Sequence, residues 1–269
     1  MGFEHLEIES EAAVATIWLN RPDKLNALSA DMWEDIPAAV AAAEADESIR
    51  VIVVAGRGTA FTVGIDVQML AGLTPTGPSA ATRNLVVYQD VRRLQHTVNC
   101  LADTSKPVIA AIHGYCLGAG MSLISAADLR IASADAIFGI RETKMGLVAD
   151  VGALQRLPAI VGTATTAEMA MTGDDYPAEW ALERGLVSRV CDNHERLIEA
   201  AHDLARRIAV NSPLVVTGVK RVLQATQGRT MEEGLEFVAR WNSSYLLSND
   251  LTEAITAFFE KRDPDFKGE

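Results

Sequence analysis

The sequence predicts an α/β fold with a helical last third, and three observations predict it. Continuous apolar runs bounded by glycine or proline, VIVVA at 51–55 and VIAAI at 108–112, have the length and composition of strands buried on both faces. Segments with helical spacing lie between such runs. Beyond residue 192 only helical patterns follow. A chain of 269 residues can bury a sizeable core. It divides on this reading into a core, 1–192, and a helical region, 193–269.

Taken in order, AVATIWL at 13–19 is rich in β-formers and partly alternating, which predicts the first strand. Residues 30–45 carry Trp33, Ile36 and Val40 at helical spacing, with an interior Pro37 expected to kink the helix. The alanine-rich stretch 37–45 needs no explanation beyond helix propensity. The 51–55 strand leads into AFTVGIDVQML at 60–70, where Gly64 permits an unusual turn and Asp66 stands at a helix N-cap. GLTPTGPS, from Gly72 to Ser79, reads as a loop, and 82–101 as a helix. The 108–112 strand precedes GYCLGAGMS at 114–122, and a further strand is expected at 187–191. Strand and helix alternate throughout this half, which implies right-handed crossovers. Helices follow at 193–210, 213–226, 231–247 and 251–262, the second opening on Pro213, a favoured first-turn residue.

Composition narrows the function. A hydrophobic share of 49% and a charged share of 22% are those of a globular protein. The formal net charge of −12 argues against a nucleic-acid partner, which would call for a clustered basic stripe. Cys100, Cys116 and Cys191 are an odd number without a CxxC pair, as expected of a reducing compartment. The start, MGFEHLEIES, lacks the features of a signal peptide, and no apolar run reaches membrane-spanning length, so a cytoplasmic location and no membrane partner are expected. No metal-ligand spacing, dinucleotide fingerprint or phosphate loop is present: where GxGxxG would put its third glycine stands Leu123. Neither a metal nor a cofactor is therefore expected.

Two segments could carry chemistry. GYCLGAGMS and AFTVGIDVQML each follow a buried strand and precede a helical pattern, which points backbone N–H groups outward at a helix N-terminus. A Gly-Ala-Gly turn is also used wherever a helix packs closely on a strand, and both readings stand. Together the two turns could offer converging N–H donors to a developing oxyanion.

Together with these turns, five blocks in order resemble the crotonase, or enoyl-CoA hydratase/isomerase, family: 20–28 (NRPDKLNAL), 60–70, 107–131, 138–157 (FGIRETKMGLVADVGALQRL) and 256–267. The resemblance implies a crotonase-like spiral of repeated ββα units with a helical C-terminal region, assembled as a homotrimer or hexamer. It implies an acyl-CoA substrate, with no separate cofactor. The oxyanion donors by position are the N–H groups of Ile65 and Ala119. The nucleotide end of coenzyme A is expected near Arg21, Lys24, Ala27, Leu28 and Val63, with Asp66 and Ser122 at the substrate pocket. Phe258 and Lys261 resemble residues that approach a neighbouring subunit's ligand. The thioester is anionic while the chain is acidic, so a local cationic patch is required, for which Arg21, Lys24, Lys261 and Arg262 are the candidates.

The carboxylates decide the reaction. Family hydratases carry two glutamates; here the second is Glu142, while Ser122 stands at the position of the first. A serine hydroxyl does not titrate near neutral pH. The stretch GLVADVGALQRLP with AFTVGID most resembles the dienoyl-CoA isomerases, in which an acid at the Asp150 position works with the one at Glu142; those enzymes also have an aspartate where this chain has Ser122. Gly146 lies between the two acids, where the chain can turn and bring both to one pocket. Glu142 could otherwise pair with Arg141 or Lys144, and Asp150 could cap a helix beginning near Val151. Double-bond isomerisation of a dienoyl-CoA is the favoured reaction, with 2-enoyl-CoA hydration and a catalytically inactive acyl-CoA-binding protein as the alternatives. His113 reads as a satisfied strand-end residue.

Overall fold

The computed structural model describes residues 2–72 and 75–269, so Leu73 and Thr74 of the expected connector lie outside the described residues. The main sheet opens with an antiparallel pair, β1 (Leu6–Glu11) and β2 (Val14–Leu19). After α1 (Ala30–Ala45) the chain enters β3 (Val51–Gly56), which lies parallel to β2. It then passes through a short α2 (Val67–Ala71) and a long α3 (Ala80–Asp103). From β4 (Val108–Ile112) it steps to β5 (Tyr115–Leu117) of a second sheet and into α4 (Ala119–Ala126). The same step repeats from β6 (Leu129–Ser133) to β7 (Ile137–Gly139), followed by α5 (Ala153–Val161) and α6 (Thr163–Thr172).

A two-residue β8 (Tyr176–Pro177) completes the small sheet, in the order β5-β7-β8, and leads into α7 (Ala178–Glu183). With β9 (Val190–Cys191) the main sheet has the order β1-β2-β3-β4-β6-β9. Each turn of the chain thus contributes a main-sheet strand, a segment of the small layer and a helix. After β3 the middle part is reduced to single bridges, Thr62 to Cys116 and Leu28 to Ile65. This is the spiral of ββα units that the motifs implied.

Strands β2, β3 and β4 are buried along their whole length, as the continuous apolar runs of β3 and β4 require. Their period of two divides the core. Ile17, Ile52, Val54 and Ile112 face one cluster with α1 and α4, while Trp18, Val51, Val53 and Ile109 face a second. Covering the second is α8 (His194–Ala209), whose Leu197, Ala201, Ala205 and Ala209 recur every four residues. Small side chains there let the helix lie close to the sheet. Full burial of each large aliphatic residue contributes about 1.5–3 kcal/mol.

Helices α9 (Pro213–Thr226), α10 (Met231–Tyr245) and α11 (Asn249–Glu260) complete the chain. Lys220 fixes α9 to the core: its buried Nζ lies 2.9 Å from Asp128 Oδ2 and donates to the carbonyls of Leu101 and Lys106. The outer faces stay apolar and exposed, notably at Val215, Val219, Leu223, Leu247, Phe258 and Phe259.

One expectation needs correction. The 187–191 strand shrinks to Val190–Cys191, because Leu186 and Val187 are buried as loop residues of the core and Ser188 N–H donates instead to the Arg130 carbonyl. Helix α1, for its part, runs through Pro37 from Ala30 to Ala45. Proline leaves the carbonyl four residues back, on Trp33, without its helical donor. The buried hydroxyl of Thr97, on α3, donates to that carbonyl at 2.6 Å.

Replacing Thr97 by valine keeps the shape and removes this donor, so the Trp33 carbonyl is left buried and unpaired. The expected loss is about 1–3 kcal/mol, read as a lower urea midpoint at unchanged slope.

Candidate active site

The site begins in a turn with two consecutive left-handed residues, Leu25 (φ 51) and Asn26 (φ 55). Such backbone is costly away from glycine and needs bracing. Asn26 supplies it: the fully buried side chain donates to the carbonyls of Arg57 and Ala60 and accepts from Arg21 N–H. Leu28 N–H then donates to the Gly64 carbonyl at 2.8 Å, and Asp66 N–H to the Leu28 carbonyl at 3.0 Å. Those two bonds occupy one edge of the 64–66 segment. Ile65 N–H points to the other, where no acceptor is found among the described residues.

Opposite lies the second turn. Gly118 (φ 51) donates to the Gly139 carbonyl, and α4 starts at Ala119, whose N–H lacks a helical acceptor, as first-turn N–H groups do. Gly64 (φ 93) brings the two turns together: a Cβ there would fall 2.8 Å from the Leu117 carbonyl oxygen and 3.2 Å from Ala119 N. Only glycine fits. Both readings of the Gly-Ala-Gly sequence hold, at different residues. Gly120 serves packing, since a Cβ there would meet Thr62 Cγ2 at 2.7 Å, and Gly118 serves the turn through its positive φ, beside the Glu142 carboxyl.

Ile65 and Ala119 border a cavity of about 660 Å³, with Glu142 and Asp150 in its wall. A left-handed Gly146 (φ 74) turns the chain between the two acids, and Leu147 N–H closes the turn on the Glu142 carbonyl. The surface-pair alternative for Glu142 fails because its neighbours are engaged elsewhere. Arg141 pairs with Asp175, and Lys144 with Asp174 at 2.9 Å. Glu142 Oε2 is buried and accepts no hydrogen bond. Burial raises its pKa above the ordinary value, its own backbone N–H opposes this, and the charge of Asp150 adds to the rise. Asp150 does not cap a helix either, since α5 begins after Gly152 with no side-chain cap. Its pKa is raised by desolvation although the residue as a whole is exposed.

Of the residues expected to bind substrate, Lys24, Ala27, Val63 and Asp66 line the cavity, whereas Leu28 and Ser122 do not. The Leu28 side chain is fully buried in the core, leaving only its backbone to shape the donor turn. Ser122 is also fully buried, and its Oγ accepts from Ala153 N–H at 3.2 Å. Arg21 stands behind the wall: it donates to Asp66 Oδ2 at 2.6 Å and to the Ala27 carbonyl at 3.0 Å. That guanidinium, with Gln68 N–H, holds the Asp66 carboxyl below the usual range. Phe258 and Lys261 lie outside this cavity, with Phe258 exposed and Lys261 in a left-handed C-cap. Arg262 is paired with Glu253 and Glu260, so of the four cationic candidates Lys24 alone lines the cavity.

Sequence reasoning missed the apolar end of the cavity, formed by Met69 and by Val87, Val91 and Leu94 of α3. Its signal was present, because these three α3 residues continue the helical stripe of Val98 and Leu101. Asn26 was missed as well; its partners lie 31 and 34 residues away and leave no local pattern.

A family model described as Enoyl-CoA hydratase/isomerase matches residues 9–269. The chain belongs to the enoyl-CoA hydratase/isomerase family. This hydratase/isomerase-family chain is 38% identical over 271 residues to the peroxisomal Delta(3,5)-Delta(2,4)-dienoyl-CoA isomerase of Arabidopsis thaliana, covering 98% of both chains. With the mitochondrial enzyme of the same name from Dictyostelium discoideum it shares 39% over 265 residues, covering 97% of this chain and 90% of that relative. Among solved structures, an enoyl-CoA hydratase from Bacillus anthracis superposes with a TM-score of 0.91 at 30% identity, covering 99% of this chain and 100% of that one. The resemblance in family and fold is thus borne out. The cytoplasmic expectation is not, because these relatives are peroxisomal or mitochondrial. Unpaired cysteines and an acidic charge do not distinguish one reducing compartment from another. No helix among the described residues is long and apolar enough to cross a membrane.

Glu142 ionises less readily in the folded chain than in the unfolded one, so its ionisation favours unfolding. The stability tied to its protonated form is complete below its ordinary value of 4.5 and is lost as pH rises through the folded value. Glu142→Gln is therefore expected to raise Tm at pH 7, with the gain vanishing at pH 4 in parallel calorimetric scans.

Proposed function

We propose that the chain is a Delta(3,5)-Delta(2,4)-dienoyl-CoA isomerase that works by proton transfer between two carboxyl groups, without metal or nicotinamide. One observation carries the reading: two carboxyl groups with raised pKa values and no cationic partner among the described residues share a cavity with two backbone N–H groups that find no acceptor among them. The thioester carbonyl accepts from Ile65 and Ala119, which stabilises the negative charge that develops on its oxygen. Asp150, the more exposed acid, is ionised and removes a proton from C2. The electron pair delocalises over the thioester oxygen, C2, C4 and C6. Glu142, more deeply buried and disfavoured as an anion by Asp150, holds its proton and delivers it to C6. Double bonds at C3 and C5 become double bonds at C2 and C4, and proton count is conserved once the two carboxyl groups exchange with solvent.

The structural likeness to a hydratase makes hydration the second reading. Hydration needs a second group to hold and activate water, and Ser122, buried outside the cavity with its hydroxyl occupied by Ala153 N–H, is not available for this. An acyl-CoA-binding protein without chemistry would have no use for two destabilising carboxyl groups. The apolar faces of α9 to α11 support assembly as a trimer or hexamer, with Phe258 and Lys261 meeting a neighbouring subunit.

With a 3,5-dienoyl-CoA, isomerisation is expected to add long-wavelength ultraviolet absorbance and to exceed hydration of a 2-enoyl-CoA, which removes the enone band. Glu142→Gln and Asp150→Asn should each lower kcat by about 10²–10⁴-fold. Rapid hydration indifferent to Asp150→Asn would sink the isomerase reading. The pH profile should be a bell displaced above the ordinary carboxylate range: activity rises as Asp150 loses its proton and falls as Glu142 loses its own. Light scattering that gives a stable monomer would reject the oligomer.

A further inference from the structure

Asp150 has no side chain holding it. Its carboxylate makes no side-chain hydrogen bond among the described residues, so its aim depends on the backbone that carries it. That backbone is tethered from two sides. On one, Gln95 Nε2 of α3 donates to the Asp150 carbonyl at 2.7 Å. Arg92 fixes the amide by donating to Gln95 Oε1 at 2.8 Å; a guanidinium only donates, so the amide oxygen faces Arg92 and its nitrogen faces the carbonyl. On the other side, Ser122 Oγ of α4 accepts from Ala153 N–H at 3.2 Å.

The second tether replaces something the loop lacks. Helix α5 has a glycine, Gly152, at its N-cap, in a left-handed conformation (φ 122) and without a side-chain acceptor. Its first N–H is one of the orphan donors of a helix start, and a serine from a different helix satisfies it. Side chains rarely adopt the positive φ of Gly152, so an ordinary capping residue in its place would be strained. Ala149 and Val151, on either side of Asp150, are buried core plugs, while Asp150 itself is exposed and lines the cavity.

We propose that Ser122 and Gln95 are positioning residues for the reaction, acting through the 150–153 backbone to hold the Asp150 carboxylate at the reacting carbon. The inference rests on the assignment of Asp150 as the base. It gives Ser122 a role in the chemistry without contact with substrate. The loop is held at the carbonyl of residue 150 and the N–H of residue 153, and loss of either tether lets it move outward. A carboxylate displaced by an ångström no longer meets the reacting proton, and water then reaches it. The charged groups that share the cavity with it are Glu142, Lys24, Asp66, Asp90, Arg93 and Arg141.

The test compares Ser122→Ala, Ser122→Thr and Gln95→Met in the intact protein, each checked for folding by circular dichroism, with the 3,5-dienoyl-CoA assay. Ser122→Ala and Gln95→Met are expected to lower kcat by about 10- to 100-fold with KM little changed. The acid limb of the pH profile should move toward lower pH as Asp150 becomes solvated, and Ser122→Thr, which keeps the hydroxyl, should restore both. In an Asp150→Asn background neither substitution should lower kcat further. If Asp150→Asn is inactive but Ser122→Ala and Gln95→Met leave the acid limb in place or act additively with it, the positioning role is overturned. If Asp150→Asn keeps full activity, the base assignment falls, and this inference with it. Gln95 is only partly buried, so its variant is informative even where Ser122→Ala folds poorly.

Discussion

The site depends on the approach of two backbone turns at a point where no side chain fits. The Gly64 backbone lies against Leu117 and Ala119 so closely that a single methyl group would overlap a carbonyl oxygen. This approach brings together two N–H groups, unused among the described residues, from segments more than fifty residues apart, and single bridges on either side hold it. Thr62 bridges to Cys116 in the small layer, while Leu28 pairs with Ile65 from the opposite side. Backbone donors fixed in this way need no reorganisation when charge develops before them.

Around this donor-rich point the chain accepts groups that work against folding. One oxygen of the half-buried Glu142 has no partner among the described residues, and both acids are harder to ionise than in water. Nearby cations are diverted: Arg21 is bound to Asp66, Arg141 to Asp175 and Lys144 to Asp174. A cation beside Glu142 would stabilise its anion and drain it of the proton that the proposed mechanism has it deliver. The ion pairs around the cavity therefore also keep positive charge away from the acids, and stability and catalysis pull in opposite directions here.

Strands β3 and β4 were legible in the sequence because two-sided burial writes itself as an uninterrupted apolar run, β2 because it is rich in β-formers, and the donor turns because glycine marks them. Strands β5, β7 and β8 have only two or three residues, too few for any period to show. Gly146 was read correctly as the turn between Glu142 and Asp150. Position within a motif could not say where a side chain ends, and this is why Leu28 and Ser122 were placed at the ligand although both side chains face inward. Thr97, Gln95 and Asn26 act through carbonyls far along the chain, and such partnerships exist only once the fold has formed.

Helix α3 has a property that bears on how such a protein could diversify. One face of it is continuous, yet Val98 and Leu101 at one end belong to the core, while Val87, Val91 and Leu94 at the other face the cavity. The first group is constrained by close packing, in which a single methylene is felt. The second borders open space. Drift in side-chain volume along the outer turns can therefore reshape the room for an acyl tail without disturbing either acid or the paired donors. Substrate range and reaction type are in this sense separately heritable traits.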